Sequence, residues 1–215
     1  MSENRTDLTV ILADGEPPRA AEPIKILRSA ARIVCCDGAA ALPAEYGLQP
    51  TVVIGDLDSL PQQWKDRYAD RLVHVREQET NDLTKAFTYC REQGWDNIAI
   101  LGATGKREDH TLGNLSLLAD YSELVPNLKF ITNYGAFFVA QKSGDFPAIP
   151  GQQISIIALQ TGTPVTSSGL KYPMDKLVLK RWWQATLNEA LSDQFHLEFP
   201  EGAQLLIFQE HINKK

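Results

Sequence analysis

Short apolar runs separated by polar, glycine-bearing turns set the rhythm of the first half of the chain. Leu8 to Leu12, Arg32 to Cys36, Thr51 to Ile54, Leu72 to Val75 and Asn97 to Leu101 each read as a buried strand. Helical spacing fills the intervals. Pro23 is placed to begin a helix through Ile24, Ile26 and Leu27, and Pro61 to Ala69 suits a second helix. Leu83, Ala86, Phe87 and Cys90 mark one face of a helix that Gly94 ends, and Leu112, Leu115 and Leu118 mark another after the fifth strand. This alternation predicts a Rossmann-like, mostly parallel α/β sheet domain.

Beyond about Pro126 the pattern changes. Lys129 to Thr132, Ala136 to Ala140, Ile154 to Leu159, Phe195 to Phe199 and Gln204 to Phe208 are short and β-rich, with turn signals such as Pro150-Gly and Thr161-Gly-Thr-Pro between them. Closely spaced strands of this kind predict a β-sandwich. The expected organisation is therefore α/β plus all-β, divided into residues 1–126 and 127–215.

Composition narrows the function classes. With 43% hydrophobic and 22% charged residues, the chain has the balance of a soluble globular protein rather than a disordered or membrane-spanning one. A net charge of −6 without a basic run argues against nucleic acid as partner. The polar stretch Met1 to Asp7 has no apolar core of a signal peptide, so the expected compartment is cytoplasmic. Cys35, Cys36 and Cys90 show no metal-ligand spacing and read as small core residues.

Candidate chemistry concentrates where strands end. Thr51-Val-Val-Ile54 runs into Gly55 and then into two carboxylates one residue apart, Asp56 and Asp58. Open α/β sheets place ligands at such carboxyl ends, and hard cations such as Mg²⁺ take oxygen ligands of this type. Each aspartate could instead cap the helix or turn that follows. Asp37 ends the second strand in the same way, and Ala13-Asp14-Gly15 ends the first. Asp82 falls in the first turn of its helix, as a cap or a site carboxylate, with Lys85 one turn on, either solvated or available to an anion. Gly102-Ala-Thr-Gly105 exposes backbone N–H groups between a strand and a helix, with Lys106 and Arg107 as countercharge, Asp109 as the expected cap and His110 beside it. Its spacing matches neither a Walker A loop nor a full dinucleotide fingerprint.

Taken together, Asp37-Gly-Ala39, Gly55-Asp-Leu-Asp-Ser59, Gln78 with Asp82-Leu-Thr-Lys85, Gly102 to Leu112 and Ser168-Gly-Leu-Lys-Tyr-Pro173 resemble the thiamine pyrophosphokinase family in order and spacing. The resemblance implies an α/β domain holding ATP and Mg²⁺, a C-terminal β-sandwich, and a homodimer whose interface helps to build the thiamine site. The implied reaction is thiamine plus ATP giving thiamine diphosphate plus AMP. Carried onto this chain, Asp37, Asp56, Asp58 and Asp82 form the catalytic cluster, with Asp56, Asp58 and Asp82 as metal ligands. Gln78, Lys85, Thr104, Gly105, Arg107 and Asp109 line the nucleotide, and Thr186 and Asn188 face thiamine. Ile207 stands where some members carry a stacking tryptophan. Trp182 and Trp183 are candidates to replace it, one of them facing the site if they alternate along a strand.

Two other readings follow from parts of the pattern. The Gly102 loop alone suggests a nicotinamide-dependent oxidoreductase, although it follows the fifth strand rather than the first and leaves the aspartates without a purpose. A non-catalytic thiamine or nucleotide sensor would need no carboxylate cluster.

Overall fold

The computed structural model describes residues 7–212; the stretch 1–6, on which the reading of a missing signal peptide rests, lies outside them. The chain forms two compact units, Met1–Asn133 and Tyr134–Lys215.

The first unit begins with β1 (Thr9–Leu12), α1 (Ala21–Arg28) with Pro23 in its first turn, and β2 (Arg32–Cys36). A 3-10 turn at Asp37–Ala39 leads to α2 (Leu42–Glu45), β3 (Val52–Gly55), α3 (Gln62–Arg67) and β4 (Leu72–His74). Then come α4 (Asp82–Glu92), β5 (Ile98–Leu101), α5 (Glu108–Leu124) and β6 (Lys129–Ile131). Every strand pairing within this unit is parallel, in the order β6-β5-β1-β2-β3-β4. Burial on both faces explains why β1, β3 and β5 are apolar without alternation.

That order positions the site. From β1 to β4 the chain steps outward in one direction, and β5 then returns to the other side of β1. The strand order reverses between β1 and β5, and their carboxyl ends form the switch point where such sheets take ligands. Helix α4 lies against β2 and β3. Phe87 of α4 stacks on Tyr121 of α5 at a centroid distance of 4.0 Å, and the Tyr121 hydroxyl meets Thr84 Oγ1 at 2.7 Å.

Lys129 to Thr132 was expected in the β-rich half, but β6 continues the parallel sheet, with Leu101 opposite Ile131. Apolar character alone does not tell a strand of a parallel sheet from one of an antiparallel sheet.

The second unit contains β7 (Gly135–Ala140), β8 (Gly144–Pro147), β9 (Gln153–Ala158), β10 (Thr163–Ser168), β11 (Leu177–Leu179), β12 (Ala185–Glu189), β13 (Gln194–Glu198) and β14 (Leu205–Glu210). Antiparallel pairing orders them β12-β9-β14-β7 and β11-β10-β13-β8. Alternate residues of β9 point inward, and Ile154 and Ile156 join Val165, Phe195, Leu197 and Ile207 in the core.

Candidate active site

The carboxylates predicted from strand ends divide into two kinds. Asp37, just after β2, is 3% exposed, and backbone groups occupy both of its carboxylate oxygens. Oδ1 accepts the Gly38 N–H at 2.6 Å and Oδ2 accepts the Leu57 N–H at 3.1 Å. Gly55 permits this approach, since a Cβ there would lie 2.8 Å from the Asp37 carboxyl carbon. Burial, and then the negative charge of Asp82, push the Asp37 carboxyl above the usual range against the pull of the Gly38 N–H. Asp37 thus ties the end of β2 to the loop after β3.

Asp56 and Asp58 lie in that loop. Asp56 Oδ2 accepts Gln78 Nε2 at 3.0 Å and its Oδ1 accepts the Asp58 N–H at 3.1 Å. The Gln78 bond and then the Asp58 N–H hold Asp56 below the usual carboxylate range, with the Lys85 charge adding to them, so it is ionised at neutral pH. Leu57, between the two acids, has φ +63°. A left-handed backbone is rare at a leucine, and here it turns the chain so that both acids stand at the strand's end. Asp58 is exposed.

Asp82 was read as either a helix cap or a site carboxylate. The cap of α4 is Asn81, whose Oδ1 accepts the Thr84 N–H at 2.9 Å. Asp82 is therefore free of that duty, and its Oδ1 meets Lys85 Nζ at 3.2 Å. The Lys85 side chain is 3% exposed, which overturns the solvated alternative. A buried ammonium requires a partner, and Asp82 supplies it.

At the switch point lies a cavity of about 290 Å³ lined by Asp14, Asp37 and Asp82 and, opposite them, by Thr104, Lys106 and Arg107. His110 also lines it. Gly102 and Gly105 have φ +70° and +89°, and a Cβ on Gly102 would strike the Ala13 carbonyl oxygen at 2.4 Å, so glycine lets the loops after β1 and β5 touch. Asp109 is not the cap of α5. That place falls to Arg107, and Asp109 instead takes a two-pronged bond from its guanidinium, Nε at 3.0 Å and Nη2 at 2.6 Å. The pair and the His110 N–H hold Asp109 down at about 2.

Among the described residues, no group of three or more His, Cys, Asp or Glu side chains is gathered closely enough to hold a metal ion. The donor chemistry nevertheless fits Mg²⁺, which usually keeps several waters and binds through one or two carboxylates plus substrate phosphate. Asp56, ionised at a strand's end, is such a donor.

In the second unit, Trp182 and Trp183 lie in a turn before β12 and not on a strand, so alternation does not select between them. They are 50% and 72% exposed, and neither is a core residue. Thr186 Oγ1 donates to the Trp183 carbonyl at 2.8 Å. Asn188 is buried and its amide is engaged: Oδ1 accepts from the Tyr172 and Glu189 N–H groups, and Nδ2 donates to the Tyr172 carbonyl at 2.8 Å. It clamps the segment bearing Tyr172. Ile207 is wholly buried in the core.

Residues that the sequence did not assign to the site also border the cavity. Ser59 bonds Asp37, Asn81 caps α4, and Asn114 Nδ2 holds the Ala103 carbonyl at 2.7 Å. Asp14 carried the same strand-end signal as Asp37.

Fold and site together define a protein class: a parallel α/β unit with an acidic, glycine-looped crevice suited to phosphate chemistry, followed by an antiparallel β unit. Residues 24–130 match the family model described as thiamin pyrophosphokinase, catalytic domain, and residues 135–208 match that described as thiamin pyrophosphokinase, substrate-binding domain. The chain belongs to the thiamin pyrophosphokinase family.

Among curated relatives, thiamin pyrophosphokinase 1 of Caenorhabditis elegans is 30% identical over 162 residues, 69% of this chain and 66% of the relative. Thiamine pyrophosphokinase of Bacillus subtilis is 38% identical over 89 residues, 40% of this chain and 41% of the relative. The matched stretches thus span less than two thirds of these relatives' lengths. Among solved structures, thiamin pyrophosphokinase from Candida albicans has a TM-score of 0.78 at 19% identity, covering 97% of this chain and 90% of its own. A thiamin pyrophosphokinase family protein from Enterococcus faecalis has 0.80 at 18%, covering 95% and 99%. At these identities the structures speak for the fold: a mixed α/β sheet with antiparallel β-structure.

Proposed function

We propose that this chain is a thiamine diphosphokinase, transferring the diphosphate of ATP to the hydroxyethyl oxygen of thiamine to give thiamine diphosphate and AMP. One observation carries the reading: Asp37 at the end of β2 and Asp82 at the start of α4 border one crevice with the glycine loop after β5, and Asp56 at the end of β3 lies near Asp37. In this reading the first unit is a Rossmann-like ATP domain and the second a β-sandwich for thiamine. The protein works as a cytoplasmic homodimer, a location in keeping with its three buried free thiols.

Diphosphoryl transfer needs in-line positioning and neutralisation of charge on the phosphate chain, without a covalent intermediate. Thr104, Gly105 and Arg107 receive the nucleotide, with Asp109 orienting Arg107. Lys85, oriented by Asp82, offers its ammonium to the transferring phosphates, and Gln78 fixes Asp56. Of Asp56, Asp58 and Asp82, one or two would hold Mg²⁺ together with substrate phosphate, Asp56 the leading donor, and the ion would supply further charge neutralisation. Trp182 and Trp183 offer indole faces to the cationic thiazolium, and Thr186 and Asn188 shape the segment around them.

The test is incubation with thiamine, ATP and Mg²⁺ followed by separation of products. AMP formed in step with thiamine diphosphate is the expected outcome. ADP with thiamine monophosphate would move the attack to the terminal phosphorus, and binding without turnover would favour the sensor. The oxidoreductase reading has little support, because the glycine loop follows β5 and not β1.

A further inference from the structure

Three cations in or beside the crevice are each held by one carboxylate. Lys85 is held by Asp82, Arg107 by Asp109, and Lys106 by Asp14, with Lys106 Nζ 2.7 Å from Asp14 Oδ1. The first two pairs are local, three and two residues apart in sequence. The third is different in kind. Asp14 and Lys106 are 92 residues apart and join the loop after β1 to the loop after β5, across the switch point. Both line the cavity.

The frame beneath the pair is fixed while the pair itself is open to water. Gly15 N–H donates to the Gly102 carbonyl at 2.6 Å and Glu16 N–H to the Thr104 carbonyl at 2.7 Å, so backbone bonds keep the two loops together without help from the side chains. The Lys106 and Asp14 side chains are 53% and 56% exposed. Screening makes such an ion pair weak, so neither fold nor loop closure depends on it. A lysine presents a compact charge on a flexible stem, well suited to exchange one anion for another.

We propose that Lys106 is a ligand for the phosphate chain of the nucleotide and that Asp14 is its displaceable counter-ion, which neutralises the crevice mouth in the free protein and yields the ammonium when a polyphosphate enters. This rests on the nucleotide-binding reading of the crevice. A chain of several phosphate charges outcompetes a single solvated carboxylate for the ammonium, because each added charge strengthens the attraction while the pair it replaces is screened. Asp14 therefore sets how much negative charge a ligand must bring, which makes it a determinant of nucleotide affinity.

The experiment is fluorescence titration of the purified full chain with N-methylanthraniloyl-ATP, without thiamine, alongside calorimetric titration with thiamine alone. Lys106→Met weakens binding of the ATP analogue about tenfold, the loss of one charge-assisted contact. Lys106→Arg stays within about threefold of the parent, since the charge is kept. Asp14→Asn tightens binding about threefold by removing the competitor. Thiamine affinity and melting temperature stay unchanged in all three variants. Binding by Lys106→Met equal to the parent's would overturn the proposal, as would weaker binding by Asp14→Asn, which would make Asp14 a direct contributor to the nucleotide site. If the parent binds the analogue with the expected pattern yet forms no thiamine diphosphate, the pair stands and the reaction reading falls. If the parent turns over while Lys106→Met binds normally, the pair falls and the reaction stands.

Discussion

Asp37 Oδ2 accepts the backbone N–H of Leu57 at 3.1 Å, joining a buried carboxylate at the end of β2 to a left-handed leucine between Asp56 and Asp58. The bond makes Asp37 a positioning residue. Its oxygens are taken by backbone donors, and in the proposed reaction its effect would run through the acids it orients.

Leu57 is therefore where shape and stability separate. Leu57→Val places a β-branched side chain at φ +63° and should destabilise the fold by about 1–2 kcal/mol. Leu57→Gly fits that conformation, so its melting temperature should match or exceed the parent's while a looser Asp56–Asp58 turn lowers kcat. Thermal melts and steady-state kinetics on both variants check this, and a Gly variant with full kcat would show that the turn needs no leucine.

Asp58→Asn should keep the melting temperature, because the side chain is exposed, and reduce kcat by about a hundredfold or more at saturating Mg²⁺. Asp82→Asn should do the same to kcat but also lower the melting temperature, since Lys85 loses the partner of its buried ammonium. Near-normal turnover in either variant removes that residue from the site.

Asn188→Ala strands the Tyr172 and Glu189 N–H groups and the Tyr172 carbonyl. A loss of about 1–3 kcal/mol in denaturant unfolding is expected, with KM for thiamine raised more than KM for ATP. Equal rises in both constants would argue against a role confined to thiamine.

Trp182 and Trp183 are exposed in a turn, so alanine at either position should leave unfolding midpoints unchanged. The indole that stacks on thiamine is then identified by a rise in KM for thiamine alone. If neither substitution changes it, the stacking surface lies elsewhere.

The Arg107–Asp109 pair gives a direct pH test. Asp109 is held at about 2 rather than 3.8, so any stability the pair provides is present above the unfolded value and is lost as pH falls through the folded one. Carboxyl NMR should place its titration midpoint near 2 in the parent and return it toward 3.8 in Arg107→Met. An unmoved midpoint would assign the shift to the His110 N–H instead.

The strands of the first unit and the acids that end them were legible because their signals are local. An apolar run followed by Asp-Gly or Gly-Asp carries its meaning within a few residues, and β1, β2, β3 and β5 lie where those runs are. What each acid does was less legible. Asn81 rather than Asp82 caps α4, and Arg107 rather than Asp109 stands at the cap of α5, because neighbouring polar residues compete for one position by backbone geometry that composition does not record. Trp182 and Trp183 lie in a turn, so strand alternation does not select between them.

The sequence by itself determined the alternation of strands and helices, the placing of carboxylates at strand ends, the glycines that let two loops meet, and the family to which the motifs belong. These depend on side-chain period and on backbone freedom at single residues, which are short-range properties. Only the tertiary structure decided that β6 extends the parallel sheet, that Asp37 holds Leu57 and that Asp14 meets Lys106. Each of those depends on strand order, which brings together residues far apart along the chain, and strand order is fixed by the packing of the whole sheet rather than by any one segment.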